Sequence, residues 1–189
     1  MSILSDPTPV PSAIAASQPS RLFYALWPDA ETAGKLAKLQ ENLAGRHTHP
    51  NDMHLTLAFL GIQPEENQPV LHAILRDLPL PEAFSLDLTE LNSFPNIKVS
   101  WVGPNTTPQP LDQLWRMLGS SLDKHEIWWD KKIPFRPHVT LARKVVAPHS
   151  LLREPVCWQA RRVVLAGSVP GAVPGGGGKY RVLAERRLF

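Results

Sequence analysis

The sequence predicts an α+β fold of two pseudo-symmetric lobes around a central cleft. Three observations carry this expectation. Apolar residues recur at strand period and helical period in alternating segments. The same order of segments returns in the second half of the chain. A tetrapeptide of the form His-x-Thr-hydrophobic then heads a corresponding strand in each half, as His54-Leu55-Thr56-Leu57 and His138-Val139-Thr140-Leu141.

Residues 1–20, rich in Pro, Ser and Ala, are expected to be a disordered extension. Arg21 to Trp27 is apolar and aromatic and predicts a buried strand, ended by Pro28. Asp29 is a good N-cap, Ala33, Leu36, Leu39 and Leu43 share one helical face, and Gly45 stops that helix. Met53 to Leu60 predicts a second strand, closed by Gly61. Val70, Leu71, Ile74, Leu75 and Leu78 make another helical face before Pro79, and Phe84, Leu86 and Leu88 alternate as a strand does.

The order then repeats. Val99 to Gly103 predicts a strand, and Pro110 opens a helix with Leu111, Leu114, Trp115, Leu118 and Leu122 inward. His138 to Ala142 predicts a strand, a short helix is expected from Ser150, and strands follow over Arg161 to Ser168 and Tyr180 to Ala184. One bilobal domain over 21–189 results, with lobe one over about 21–97 and lobe two over about 98–189.

Composition narrows the class. The chain has 189 residues, 43% hydrophobic and 20% charged, which is a globular balance. A single cysteine, Cys157, excludes an intrachain disulfide and a Cys-rich metal site. No apolar run reaches the length of a membrane span, and the N-terminal segment lacks the basic start of a signal peptide. A cytoplasmic, monomeric protein without a membrane partner is expected. The charge of +3 favours a phosphate-bearing partner only weakly.

The paired tetrapeptides carry the chemistry. Side chains alternate along a strand, so His54 shares a face with Thr56, and His138 with Thr140, while the residues between anchor the other face. Two imidazoles and two hydroxyls around one site are what phosphodiester cleavage requires. A neutral histidine takes a proton from water, a protonated one gives a proton to the departing oxygen, and the hydroxyls donate to phosphate oxygens. Neither a metal nor another cofactor is needed. One such motif reads as an ordinary strand residue; two, at matched positions, do not.

These residues resemble the 2H phosphoesterases, and among them the bacterial RNA 2′,3′-cyclic phosphodiesterases, also called 2′-5′ RNA ligases. Arg21 to Leu26 is similar to the family's opening strand, His54 to Gly61 to its first motif, and Phe135 to Arg143 to its second. The resemblance implies antiparallel-type sheets lining the cleft with helices outside. It implies His54 as proton donor, His138 as proton acceptor, and an RNA 2′-phosphate as product. It also implies a reverse, ATP-independent joining of RNA ends.

Around the motifs, Arg143 and Arg136 are phosphate-binding candidates beside Thr56 and Thr140, although alternation turns Arg143 away from His138 unless the strand has ended. Phe23 and Phe59 are candidates for stacking a base, with a core role the stronger expectation for both. His47, His49, His72, His125 and His149 read as surface residues. Trp128 and Trp129 beside Lys131 and Lys132 fit an RNA path or a packed loop equally. Gly175 to Gly178 before Lys179 falls short of a phosphate loop, because Val173 stands where a glycine is needed. Two other functions share the fold: a phosphodiesterase for a small cyclic or 2′-5′-linked nucleotide, and an RNA-binding module without chemistry.

Overall fold

The structure, a computed structural model, describes residues 21–131, 134–169 and 178–189. The extension expected over 1–20, Lys132, and the glycine-rich run up to Gly177 lie outside the described residues. Nine strands are described: β1 (Arg21–Leu26), β2 (Arg46–His47), β3 (Leu55–Ile62), β4 (Phe84–Phe94), β5 (Val99–Gly103), β6 (Val139–Arg143), β7 (Ser150–Ala160), β8 (Arg162–Ser168) and β9 (Tyr180–Arg187). Three α-helices accompany them: α1 (Ala30–Gln40), α2 (Gln68–Asp77) and α3 (Gln109–Lys124). None of these helices is long and apolar enough to cross a membrane.

All strand pairs are antiparallel, in the order β7-β4-β5-β6-β3-β1-β8-β9, with β2 added to β6. The central joint, between β3 and β6, is a single residue pair, Leu55 with Val139. The sheet therefore divides there into a half of β7, β4, β5, β6 and β2 and a half of β3, β1, β8 and β9, each carrying one histidine motif. The halves are not contiguous in sequence. β4 joins β5, β6 and β7, whereas β8 returns to pair with β1 and β9 adds to β8.

Helices cover one face. Leu36 of α1, Leu71, Ile74 and Leu75 of α2, and Leu111, Leu114, Leu118 and Leu122 of α3 are buried in one core with Leu22, Tyr24 and Leu26 of β1. α1 packs on β6 and β7, α2 on β8 and β9, and α3 on β3. The opposite face of β1 and β8 carries a small second cluster, Phe23, Ala25, Val164 and Ala166, against which Trp27, Tyr180 and Val182 pack. That second face borders the candidate site.

Two expectations differ from the structure. The segment from Ser150 is the strand β7 rather than a short helix: Val156, Trp158 and Ala160 are buried while Cys157 and Gln159 are exposed, a period of two. Its Pro155, which has no N–H, falls in a register irregularity on an edge strand, where proline is tolerated. The first helix is capped by the Asp29 carboxylate, which accepts the Thr32 N–H at 2.7 Å, but it ends at Gln40, before Leu43 and Gly45.

Candidate active site

Each histidine stands one residue ahead of its strand, β3 or β6, and the two are oriented alike. His54 Nδ1 lies 2.6 Å from the Asp52 carbonyl, and His138 Nδ1 lies 2.8 Å from the Arg136 carbonyl. A carbonyl only accepts, so each Nδ1 carries a proton and each Nε2 is left for chemistry. Continuing the Leu55–Val139 register by one residue in each direction sets Thr140 across from His54 and Thr56 across from His138. The two hydroxyls and two imidazoles thus share the face opposite the buried Leu55 and Val139.

Aromatic rings hold the imidazoles. His54 is stacked on Phe23 at 4.6 Å and on Trp27 at 5.4 Å, and meets the Tyr180 ring edge-on at 5.2 Å. Phe94 meets His138 edge-on at 5.0 Å, and Trp101 lies 5.8 Å away. Phe23 is 3% exposed beneath His54, so it supports the imidazole and offers no open face to a base.

The surroundings set His54's charge. Burial pushes its pKa down to about 4; the Asp52 carbonyl and carboxylate oppose this, and the charges of His138 and Arg143 add to it. In the ligand-free protein His54 is therefore neutral at neutral pH.

A β-bulge falls at the last residue of each motif. On β6, Trp101 is opposite Thr140 and Ser100 is opposite Ala142, so Leu141 is an extra residue. On β3, Ala25 is opposite Thr56 and Tyr24 is opposite Ala58, so Leu57 is extra. One extra residue reverses the alternation beyond it. Arg143, opposite Val99, consequently shares the face of Trp101 and Thr140, and Phe59, opposite Phe23, shares the face of Ala25 and Thr56. The simple two-residue period, which turns Arg143 away, misses this. Buried Gln40 supports the second bulge, because its Nε2 donates to the carbonyls of Leu141 and Thr48.

The other candidates separate. Arg143 is exposed on the site face, Phe59 is 38% exposed, and the Arg136 side chain is exposed while its carbonyl holds His138. Trp128 and Trp129 part company: Trp129 is buried against Trp115 and Gly119, and Trp128 is 63% exposed. No group of three or more metal-ligating side chains is found among the described residues.

Sequence reading passes over Asp52. This residue is 4% exposed, and its Oδ1 accepts the backbone N–H groups of Lys179 at 2.6 Å and Tyr180 at 3.2 Å. Gly178, at φ +103°, lets the chain come this close, since a Cβ there would lie 3.1 Å from the same oxygen. The end of the glycine-rich run thus cradles a carboxylate of its own chain. The signal for Asp52 is present in sequence: it lies two residues before the motif histidine, as Arg136 does before the other.

Comparison with known proteins points one way. A family model described as the 2′-5′ RNA ligase superfamily matches residues 26–169. The RNA 2′,3′-cyclic phosphodiesterase of Escherichia coli K12 is 32% identical over 131 residues, 67% of this chain and 73% of that protein. The protein of the same name from Thermus thermophilus is 33% identical over 138 residues, covering 66% and 68%. The crystal structure of E. coli LigT complexed with 3′-AMP superposes with a TM-score of 0.73 at 26% identity, covering 90% of this chain and 99% of that one.

Proposed function

Since the chain belongs to the 2′-5′ RNA ligase superfamily, we propose that it hydrolyses RNA 2′,3′-cyclic phosphate ends to 2′-phosphomonoesters by two-histidine acid–base catalysis. The observation that carries this reading is the matched orientation of His54 and His138, each with Nδ1 fixed on a carbonyl two residues back and Nε2 left for chemistry. The names of the relatives, RNA 2′,3′-cyclic phosphodiesterase, supply the substrate class.

In this mechanism His138 Nε2 takes a proton from water as the water oxygen attacks phosphorus. The bond from phosphorus to the ribose 3′ oxygen breaks, and His54 Nε2 gives its proton to that oxygen. Thr56 and Thr140 donate to the phosphate oxygens where negative charge gathers, and Arg143 adds a charge-assisted contact. Phe59, at the position in the first half that Arg143 holds in the second, takes the terminal base. With a ribose 5′ hydroxyl in place of water as the nucleophile, the same groups join two RNA ends. His138 takes the hydroxyl proton, the 5′ oxygen bonds to phosphorus, and the 3′ oxygen leaves with the proton from His54, giving a 2′-5′ linkage.

Burial keeps His54 neutral without substrate. The donor role therefore requires the anionic phosphate to raise its proton affinity on binding. That same neutrality favours a second reading, in which His54 is the base and His138 the acid.

Analysis of the products from a short RNA with a 2′,3′-cyclic end tests the reaction. A 2′-phosphate is expected, with the rate unchanged by EDTA. A 3′-phosphate, or no opening of the ring, overturns the proposal. A phosphodiester with a p-nitrophenolate leaving group, which departs without a proton, separates the roles. It restores turnover to the variant lacking the acid and not to the variant lacking the base.

A further inference from the structure

The site-side face of the first half-sheet continues beyond His54. Trp27, stacked on His54 at 5.4 Å, donates its backbone N–H to the Arg162 carbonyl at 3.1 Å. On β8, Val164 and Ala166 face the same cluster as Phe23 and Ala25, so Arg162, two residues before Val164, shares that face. Arg187 of β9 is directly opposite Arg162 and shares it too. The intervening residues point the other way: Val163 belongs to the main core, and Arg186 Nη1 donates to carbonyls at the end of α2.

Trp27, one residue past β1, Arg162 of β8 and Arg187 of β9 thus form a row, about 4.8 Å apart at each step. With Arg161 and Asp29 they line a pocket of about 240 Å³. Its charged side chains are three arginines and one carboxylate, that of Asp29. Glu185 pairs with Arg162 at 2.7 Å, and the Asp29 carboxylate accepts the Thr32 N–H at the start of α1. Among the described residues, no carboxylate lies within salt-bridge distance of Arg161 or Arg187. Arg162 Nε is buried without a hydrogen-bond partner. Like charges directly opposite on neighbouring strands repel, and an anion between them removes the repulsion.

We propose that Arg162 and Arg187, continuing from Trp27, form a subsite for the backbone phosphates of the RNA nucleotides that precede the cyclic terminus. This rests on the function proposed above and sharpens its substrate to a polynucleotide. Guanidinium groups engage phosphate oxygens in pairs, and Arg162 and Arg187 stand one and two strands beyond Trp27, the ring on which His54 stacks. A cyclic mononucleotide fills the histidine site alone, and only a longer RNA reaches the arginines.

Arg187→Ala and Arg187→Glu test this, because Arg187 is exposed and Arg162 keeps its Glu185 partner. Steady-state kinetics are measured on a 2′,3′-cyclic mononucleotide and on a hexanucleotide with the same cyclic end, at two salt concentrations. The alanine variant is expected to lower kcat/KM on the hexanucleotide about tenfold through KM, with the mononucleotide unchanged. The dependence of log(kcat/KM) on log[salt] is expected to lose about one unit of slope for the hexanucleotide. The glutamate variant is expected to lose more. An equal effect on both substrates, or none on the hexanucleotide, overturns the subsite.

Failure of the parent protein to open either cyclic end counts against the proposed reaction instead. In that event, fluorescence anisotropy with a labelled RNA hexanucleotide still decides the subsite. Weaker binding to the Arg187→Glu variant supports it, and equal binding overturns it.

Discussion

The Asp52 carbonyl accepts the Nδ1 proton of His54 at 2.6 Å, while the carboxylate of the same residue holds the backbone of Lys179 and Tyr180. One residue therefore sets the tautomer of the imidazole and seats the ring of Tyr180 against its edge. Asp52→Ala leaves two backbone N–H groups without their acceptor, at an expected cost of about 1–3 kcal/mol, and lowers kcat because Tyr180 no longer confines His54. Asp52→Asn, whose amide oxygen still accepts, is expected to keep most of both. Urea melts and steady-state kinetics on the two variants check this. An alanine variant with parental stability and kcat would show that the two contacts are not coupled.

His54→Ala and His138→Ala are each expected to lower kcat on a 2′,3′-cyclic substrate by about 10²–10⁴-fold, the range of acid–base catalysis. Both sites are half-buried ahead of their strands, so far-UV circular dichroism is expected to match the parent. Full turnover in either variant rules out a two-histidine mechanism.

His54 also makes stability depend on pH. Its imidazole titrates near 6.5 when unfolded and at about 4 when folded. Between these values the unfolded chain binds more protons, so stability is complete above about pH 6.5 and is lost as pH falls through about 4. The amount at stake is about 3 kcal/mol. Urea midpoints at pH 4 and pH 7.5 are expected to differ less for His54→Gln than for the parent. Equal differences would place the acid sensitivity elsewhere.

Inorganic phosphate, added as an anion of the kind the site is proposed to hold, is expected to raise the titration midpoint of His54. The charges of His138 and Arg143 act against its protonation, and phosphate offsets them. NMR titration of the imidazole with and without phosphate measures the change. An unaltered midpoint despite bound phosphate removes the case for His54 as donor and favours the exchanged roles.

Gln40 serves the site from a distance. Its amide meets the carbonyl of Leu141, the extra residue whose insertion turns Arg143 to the histidine side. Gln40→Leu is expected to cost about 1–3 kcal/mol through the carbonyls left unmet and to raise KM for a cyclic-ended RNA. Thermal melts and kinetics check the pair of effects; a rise in KM without loss of stability would speak against this route.

Much of this is legible in the sequence because it follows local periods. Leu55, Leu57, Val139 and Leu141 are buried, and Thr56 and Thr140 are half-buried on the site side, as alternation requires. The N-cap at Asp29 and the inward stripe of α3 are equally local. What cannot be read depends on partners distant in sequence. β8 returns to β1 from more than a hundred residues away, and only the pairing of β6 with β5 reveals the bulge that re-aims Arg143. Asp52 depends on Lys179 and Tyr180. The strand from Ser150 escapes a sequence reading because its first half is exposed, which hides its period until Val156.

The two bulges have a further consequence. Since each motif ends in the same backbone insertion, the halves offer equivalent seats at Phe59 and Arg143, one filled by a ring and the other by a cation. Backbone symmetry leaves the polarity of the groove to those two side chains. Exchanging them, Phe59→Arg with Arg143→Phe, is a way to ask whether a strand of RNA is laid down in one direction because of the scaffold or because of its two occupants.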